Sequence, residues 1–385
     1  MSSVKKGSSR KEYNEINTIP MNKKVIISFV IAGIVIGGIV YYLYLPQQRS
    51  ISNQIIKIGL LAPLSGENSN FGYSILKGVQ LAKKELGADN FEIILGDSQC
   101  DKEKSPAVMK KLIDQNVVAV IGEICSGASL AALPLADQYK IPLISPGSTS
   151  PQLSIASDYF FRTVPPDSLQ GRYAANLMYT SNYRRLAILY SNEDYGNAFQ
   201  GVLKENFENL GGAVVADVPF EVNTIDLKEQ ITEIQKSHPD AIYIVSNSTV
   251  SSVAALKMIQ DMKIKAALFG SEAMNDKSLL SDADGASEGL IITAVSSGSR
   301  SFKQMHRAEF GVDAGLYAPQ AYDAFQTIYL ALQKGARTGE DIKNMIPSIT
   351  FDGTSGHIQF DANGEVAGNY EALIVRNQRA EPLQR

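Results

Sequence analysis

The sequence predicts an α/β protein of two Rossmann-like lobes with mostly parallel sheets, joined by three hinge crossings and preceded by one N-terminal transmembrane helix. Three observations predict it. Two successive series of short apolar runs alternate with helix-length segments, the pattern of βα units around a mostly parallel sheet. Three proline-rich or small polar stretches lie where one series can pass to the other. A single long uncharged run stands near the start of the chain.

That run, Val25 to Leu45, holds 21 residues without a charge, enough to cross a hydrocarbon core of about 30 Å as a helix. Lys5, Lys6, Arg10, Lys11, Lys23 and Lys24 precede it and Arg49 follows. The positive-inside bias therefore places the N-terminus in the cytoplasm and the body outside. A cleaved signal peptide starting at Met21 is the alternative, but Tyr41 to Pro46 offers no small-residue cleavage site. The expected organisation is a cytoplasmic tail at 1–24, the anchor at 25–45 and a linker at 46–54. One lobe is then expected from 55–164 with 297–351, the other from 167–295 with 355–380.

The body can bury substantial cores, with 44% of the 385 residues apolar and 20% charged. Residues 1–50 take seven of the 36 basic and two of the 40 acidic side chains, leaving 29 against 38 in the body. An acidic body argues against nucleic acid as a partner. His238, His306 and His357 show no metal-ligand spacing, so no metal, cofactor or catalytic residue is assigned. Cys100 and Cys125 both lie in the part placed outside, where oxidising conditions favour a disulfide; two buried free thiols are the alternative. Closing a loop of about 25 residues contributes roughly 3–4 kcal/mol on the chain-entropy account.

The first series has strand candidates at Ile56–Ala62, Phe91–Gly96, Val117–Gly122 and Ile141–Ser145. The second has Leu186–Tyr190, Ala213–Val218, Ala241–Val245 and Ala267–Gly270. Phe71, Ile75, Val79, Ala82 and Leu86 recur at three- and four-residue steps, which stacks them on one helix face to cover a sheet. Ser126 follows a strand and opens a helix expected through Ala131. The expected crossings are Thr163–Asp167, whose prolines rule out a continuing helix, then Ser296–Ser299, and Asp352–Gly356. With all three, the cleft between the lobes is the natural ligand site.

Residues 51–380 resemble the type I periplasmic binding proteins, in their leucine/isoleucine/valine-binding branch that serves ABC importers. The resemblance rests on Ile58-Gly59-Leu60-Leu61-Ala62-Pro63-Leu64-Ser65-Gly66, Val120-Ile121-Gly122-Glu123-Ile124-Cys125-Ser126 and Ile144-Ser145-Pro146-Gly147-Ser148-Thr149-Ser150-Pro151. The Cys100 to Cys125 spacing also looks like that family's disulfide. The resemblance implies a small amino acid as ligand, ABC permease subunits as partners and no catalysis.

A zwitterion needs donors for its carboxylate and an anion for its ammonium, because burying an unpaired charge is costly. By resemblance, Ser126 at a helix start and Thr149 meet the carboxylate, with Ser148 in the same loop and the Gly147 carbonyl accepting from the ammonium. Glu272 pairs with the ammonium, and Tyr195 closes over the ligand. Two positions depart from the pattern. Phe71 stands in place of the tryptophan of the leucine-type proteins and Ser248 about where they carry a tyrosine, which leaves the side-chain specificity open. The alternatives to delivery are a ligand-sensing receptor ectodomain for an amino acid, amide or urea-like solute, which a tail of about 24 residues disfavours, and a surface module binding another protein. Asn247-Ser248-Thr249 is a glycosylation sequon, read as chance because of its expected place in the cleft.

Overall fold

The computed structural model describes residues 55–368 and 370–384. The expected tail, anchor and linker lie outside the described residues, and among those described no helix is long and apolar enough to cross a membrane.

Strand and helix alternate from the start of the body: β1 (Ile56–Ala62), α1 (Ser69–Glu85), β2 (Phe91–Asp97), α2 (Lys104–Asp114), β3 (Ala119–Gly122), α3 (Ser126–Tyr139), β4 (Leu143–Ser145) and β5 (Phe160–Arg162). Their strands form one parallel sheet in the order β2-β1-β3-β4-β5. Leu60, Ile121 and Ile144 share a core with Phe71, Ile75 and Val79 of α1, while Leu61, Val120 and Leu143 share another with Met109 and Leu112 of α2. Burial on both faces is why these strands read as continuous Val, Ile and Leu runs.

The second lobe repeats the plan with α4 (Asp167–Thr180), β6 (Arg185–Ser191), α5 (Asp194–Asn209), β7 (Ala213–Phe220), α6 (Lys228–Lys236), β8 (Ala241–Val245), α7 (Thr249–Asp261), β9 (Ala267–Gly270), α8 (Lys277–Asp282) and β10 (Ile291–Ala294). The chain then returns through α9 (Arg300–Phe310), α10 (Ala318–Gln333), α11 (Gly339–Met345), β11 (Thr350–Asp352) and β12 (His357–Gln359), and ends with β13 (Glu371–Arg376) and β14 (Arg379–Pro382). The second sheet runs β14-β13-β10-β9-β8-β6-β7 and is parallel except for β13 and β14. Helix α10 covers the first sheet beside α1, and only glycine fits at their crossing: a Cβ on Gly78 would lie 2.1 Å from the Ala318 carbonyl oxygen.

All eight expected strands are present, two of them shorter than expected. Strand β4 begins after Pro142, which offers its carbonyl to Val120 N–H at 2.9 Å but has no N–H for the ladder. Helix α3 runs past Ala131 to Tyr139 with Pro134 inside it. Strands β5 and β10, only three and four residues long, escaped the sequence reading.

The first two crossings fall where expected, between β5 and α4 and between β10 and α9. The third does not. Asp352–Gly356 is the turn of an antiparallel hairpin between β11 and β12, held by the buried Asp323 carboxylate, which accepts from the Thr354 and Ser355 N–H groups at 2.7 and 2.8 Å. Ile358, Phe360 and Val366 pack in the first lobe's core, so that lobe extends beyond the expected boundary at 351. The chain joins the second sheet only at β13. Just before it, the Tyr370 hydroxyl donates to the Pro165 carbonyl at 2.8 Å, tying this third crossing to the first.

A disulfide joins Cys100 after β2 to Cys125 before α3, with Cα atoms 5.5 Å apart. Their sulfurs and the Glu123 carboxylate lie within 4.8 Å of one another, but sulfurs bonded to each other are not thiolate ligands for a metal. Glu123 is fully buried and accepts from the N–H groups of Ile124 and Cys125 at 2.7 and 3.0 Å and from the Ser98 hydroxyl. Burial outweighs these bonds and pushes its carboxyl up to about 7.

Arg162, at the end of β5, is also fully buried. It donates to the carbonyls of Ser148 and Ser150 at 3.3 and 3.0 Å, to the Ser154 hydroxyl at 2.9 Å and to Glu365. One guanidinium thus holds the loop after β4 and the returning chain in register.

Two outcomes follow for stability. The folded state binds the Glu123 proton more tightly than the unfolded chain does, so this stabilisation is fully present below the unfolded value of 4.5 and is lost as pH rises through about 7. At about 1.4 kcal/mol per unit, Glu123→Gln should remove up to about 3 kcal/mol of pH-dependent change across that window, read from urea unfolding of the ligand-free protein; an unchanged slope would count against it. Arg162→Met leaves Glu365 and two carbonyls without their donor and should cost about 3–5 kcal/mol, read as a lower urea midpoint.

Candidate functional site

The parallel strands of each lobe end at the seam between the lobes, where loops after the strands' carboxyl ends form a crevice. Asn68, Phe71, Ile124, Cys125, Ser126, Gly147, Thr149 and Tyr317 of the first lobe and Tyr195, Asn247 and Ala273 of the second line a narrow cavity there, with about 20 Å³ of free volume.

The first-lobe wall is built on α3 and the loop after β4. Ser126 is the first residue of α3, and its hydroxyl accepts from Ser150 N–H at 3.2 Å. Helix starts carry unpaired N–H groups and the positive end of the helix dipole, which suits an anion. Thr149 lies beside it, nearly fully buried. Gly147 is wedged between Ile124 and Tyr317, and a Cβ there would meet them at 3.0 and 3.1 Å. Ser148 turns away: its hydroxyl contacts Ser129 Oγ at 2.8 Å and donates to the Glu123 carbonyl at 3.0 Å.

Behind the second-lobe wall, next to the lining residue Ala273, lies a buried acid. Glu272 opens a short 3-10 turn after β9 and is 1% exposed. Its Oε1 accepts from the Tyr317 hydroxyl at 3.1 Å and from the Tyr195 hydroxyl at 3.4 Å, one tyrosine from each lobe. Its Oε2 has no hydrogen bond of ordinary geometry among the described residues, nor have both Asp167 carboxyl oxygens and Gln170 Oε1. Burial raises the Glu272 carboxyl above its ordinary value. Burial first, and then the nearby Glu272 charge, hold Asp167 well above the ordinary range. Burial together with these two acids keeps Tyr195 and Tyr317 protonated far above the usual phenol value, so both act as donors.

The structure thus brings Ser126, Gly147, Thr149, Phe71 and Tyr195 to one cavity, with Glu272 just behind the lining, bonded to Tyr195 and Tyr317 and next to Ala273. It does not bring Ser248 there: Ser248 caps α7, and its hydroxyl donates to Glu67 Oε1 at 2.8 Å. Phe71 packs edge-on against Tyr317, with ring centroids 6.3 Å apart. Sequence reading missed Tyr317, Asp167, Asn68 and Arg162. Asp167 followed two prolines and was read only as part of a crossing. Tyr317 sits far along the chain with φ of 66°, and nothing local marks it.

The chain is similar over most of its length to known proteins. It is 23% identical over 359 residues to the leucine-, isoleucine-, valine-, threonine- and alanine-binding protein of Pseudomonas aeruginosa, covering 88% of this chain and 93% of that one. Its fold matches a leucine-binding protein from Thermotoga maritima with a TM-score of 0.81 and 25% identity, over 86% of this chain and 98% of that one. A branched-chain amino acid transporter substrate-binding protein from Streptococcus pneumoniae, solved with isoleucine, matches with a TM-score of 0.79 and 25% identity, over 85% and 98%. Two α/β lobes, a cavity at their seam and the match of the family described as periplasmic binding protein to residues 55–377 together show that this chain belongs to that family.

Proposed function

We propose that the chain is an extracytoplasmic solute-binding protein that captures a small amino acid, of the branched-chain type, between its lobes for delivery to an ABC importer. The observation that carries this reading is the separation of charge preference across the cavity. On one side are the α3 start and the hydroxyls of Ser126 and Thr149; on the other is the buried Glu272 carboxylate with an oxygen free of ordinary hydrogen bonds. A zwitterion answers both, its carboxylate on the first lobe and its ammonium at Glu272, with Asp167 behind it. The Gly147 carbonyl adds an acceptor, Tyr195 closes the second-lobe side, and Phe71 with Tyr317 and Ile124 forms an apolar wall for the ligand side chain.

Ligand contacts to both lobes select the closed arrangement, and a permease reads that closed shape. The names of the relatives support the branched-chain assignment, and the S. pneumoniae protein is named as a transporter component. An extracytoplasmic body on a single-pass anchor at 25–45 remains part of the proposal.

Two measurements test the site. Glu272→Ala removes the ammonium's partner and should weaken leucine or isoleucine binding by about 2–5 kcal/mol in calorimetry; unchanged affinity removes Glu272 from the site. The second concerns protons. Because burial raises Glu272 and Asp167 above their ordinary values in the free protein and an ammonium favours their ionised forms, binding should release protons at any pH where the free protein still holds them. Affinity should therefore rise with pH above the ordinary carboxylate range, and the calorimetric enthalpy should change with the buffer's ionisation enthalpy. An enthalpy independent of buffer contradicts this.

A further inference from the structure

The segment 67–71, at the start of α1, runs along the seam between the lobes and divides its side chains between two tasks. Asn68 and Phe71 face the ligand cavity. Glu67 and Asn70 reach across to the other lobe instead. Glu67 Oε1 accepts from the Ser248 hydroxyl at 2.8 Å and from the Val250 N–H at 3.1 Å, both at the start of α7. Asn70 Nδ2 donates to Asp276 Oδ2 at 2.6 Å.

We propose that Glu67 is a closure latch: a first-lobe carboxylate that seats on the N-terminus of the second lobe's helix α7 and holds the lobes together without touching the ligand. The position suits it, because a carboxylate at a helix start is favoured by unpaired N–H groups and by the helix dipole. Helix α7 does not need this help to form. Its own cap, Ser248, already accepts from Ser251 N–H at 3.2 Å. The Glu67 contact therefore acts on the equilibrium between open and closed arrangements, not on the folding of either lobe. Among the described residues the ion pair that crosses the seam, Lys277 with Asp313 at 3.3 Å, has side chains 80% and 54% exposed and is too screened by solvent to weigh much. Glu67 is half-buried. Its neighbours on the same short segment touch the cavity, so a ligand that settles Asn68 and Phe71 also settles the latch.

The inference rests on the reading that the lobes close around a ligand, and the test separates the two. Spin labels on noncanonical residues at the exposed positions Glu85 and Lys257, one on each lobe, report the interlobe distance in the full chain by pulsed dipolar spectroscopy. Glu67→Ala should lower the closed share at least threefold and weaken leucine affinity by the same factor, through faster dissociation, since apparent affinity scales with the competent fraction. Glu67→Gln, which keeps an acceptor and loses the charge, should fall between the two. Ser248→Ala should lower the closed share as well, and adding it to Glu67→Ala should cost less than the sum. The melting temperature of the ligand-free Glu67 variants should not move, whereas Ser248→Ala also removes the cap of α7 and is judged on the distances alone. Should leucine change no distance in the wild type, the amino-acid reading fails, and the latch is still judged on the ligand-free distances. Distance distributions of the Glu67 variants that superimpose on the wild type overturn the latch, as does a lower melting temperature with unchanged distances.

Discussion

The structure depends on one constraint at its seam: two carboxylates, Asp167 and Glu272, are almost entirely removed from water in the same neighbourhood. A buried ionised group without partners is expensive, and a second one nearby makes it more so. The protein meets part of that demand itself. Tyr195 and Tyr317 donate to one oxygen of Glu272 from opposite lobes. Gln170 and Thr149 favour the ionised forms of Glu272 and Asp167, yet Glu272 Oε2 and both Asp167 oxygens keep no hydrogen bond of ordinary geometry among the described residues, which suits a donor-rich cation. An α-ammonium group, with three N–H bonds and a positive charge, fits that request, and the helix start across the cavity fits its carboxylate.

The fold places these groups by simple means. Parallel strands deliver their carboxyl ends, and so their loops, to one edge of each sheet, and three crossings bring the two edges face to face. Local devices then hold the loops rigid. Arg162 pins the carbonyls of Ser148 and Ser150 from below. The disulfide and Glu123 fix the turn into α3, and Tyr370 joins two of the crossings. A rigid half on each side lets a ligand's contacts be felt as motion of whole lobes.

Much of this was legible in the sequence. Strands buried on both faces announced themselves as unbroken Ile, Val and Leu runs, and the α1 face showed its helical spacing. Features made by distant residues were not legible. Asp352–Gly356 looked like a crossing because glycine and small polar residues mark any tight turn; what makes it a hairpin is Asp323, thirty residues earlier in the chain, drawing the turn's N–H groups inward. Ser248 looked like a ligand contact because it stands about where the leucine-type proteins carry a tyrosine, yet a serine just before a helix is also a cap, and here the hydroxyl turns toward Glu67. Tyr317 joins the site through tertiary packing alone.

In the proposed complex an ammonium is held at Glu272 while a carboxylate is held at the start of α3. The most direct measurement compares L-leucine with 4-methylpentanoate, which keeps the side chain and the carboxylate and lacks only the ammonium, by titration calorimetry on the full chain. L-leucine should bind and the desamino acid should bind at least a hundredfold more weakly, since the ammonium's charge-assisted hydrogen bonds are lost and the buried acid oxygens at Glu272 stay without a donor. Equal affinity for the two would contradict it.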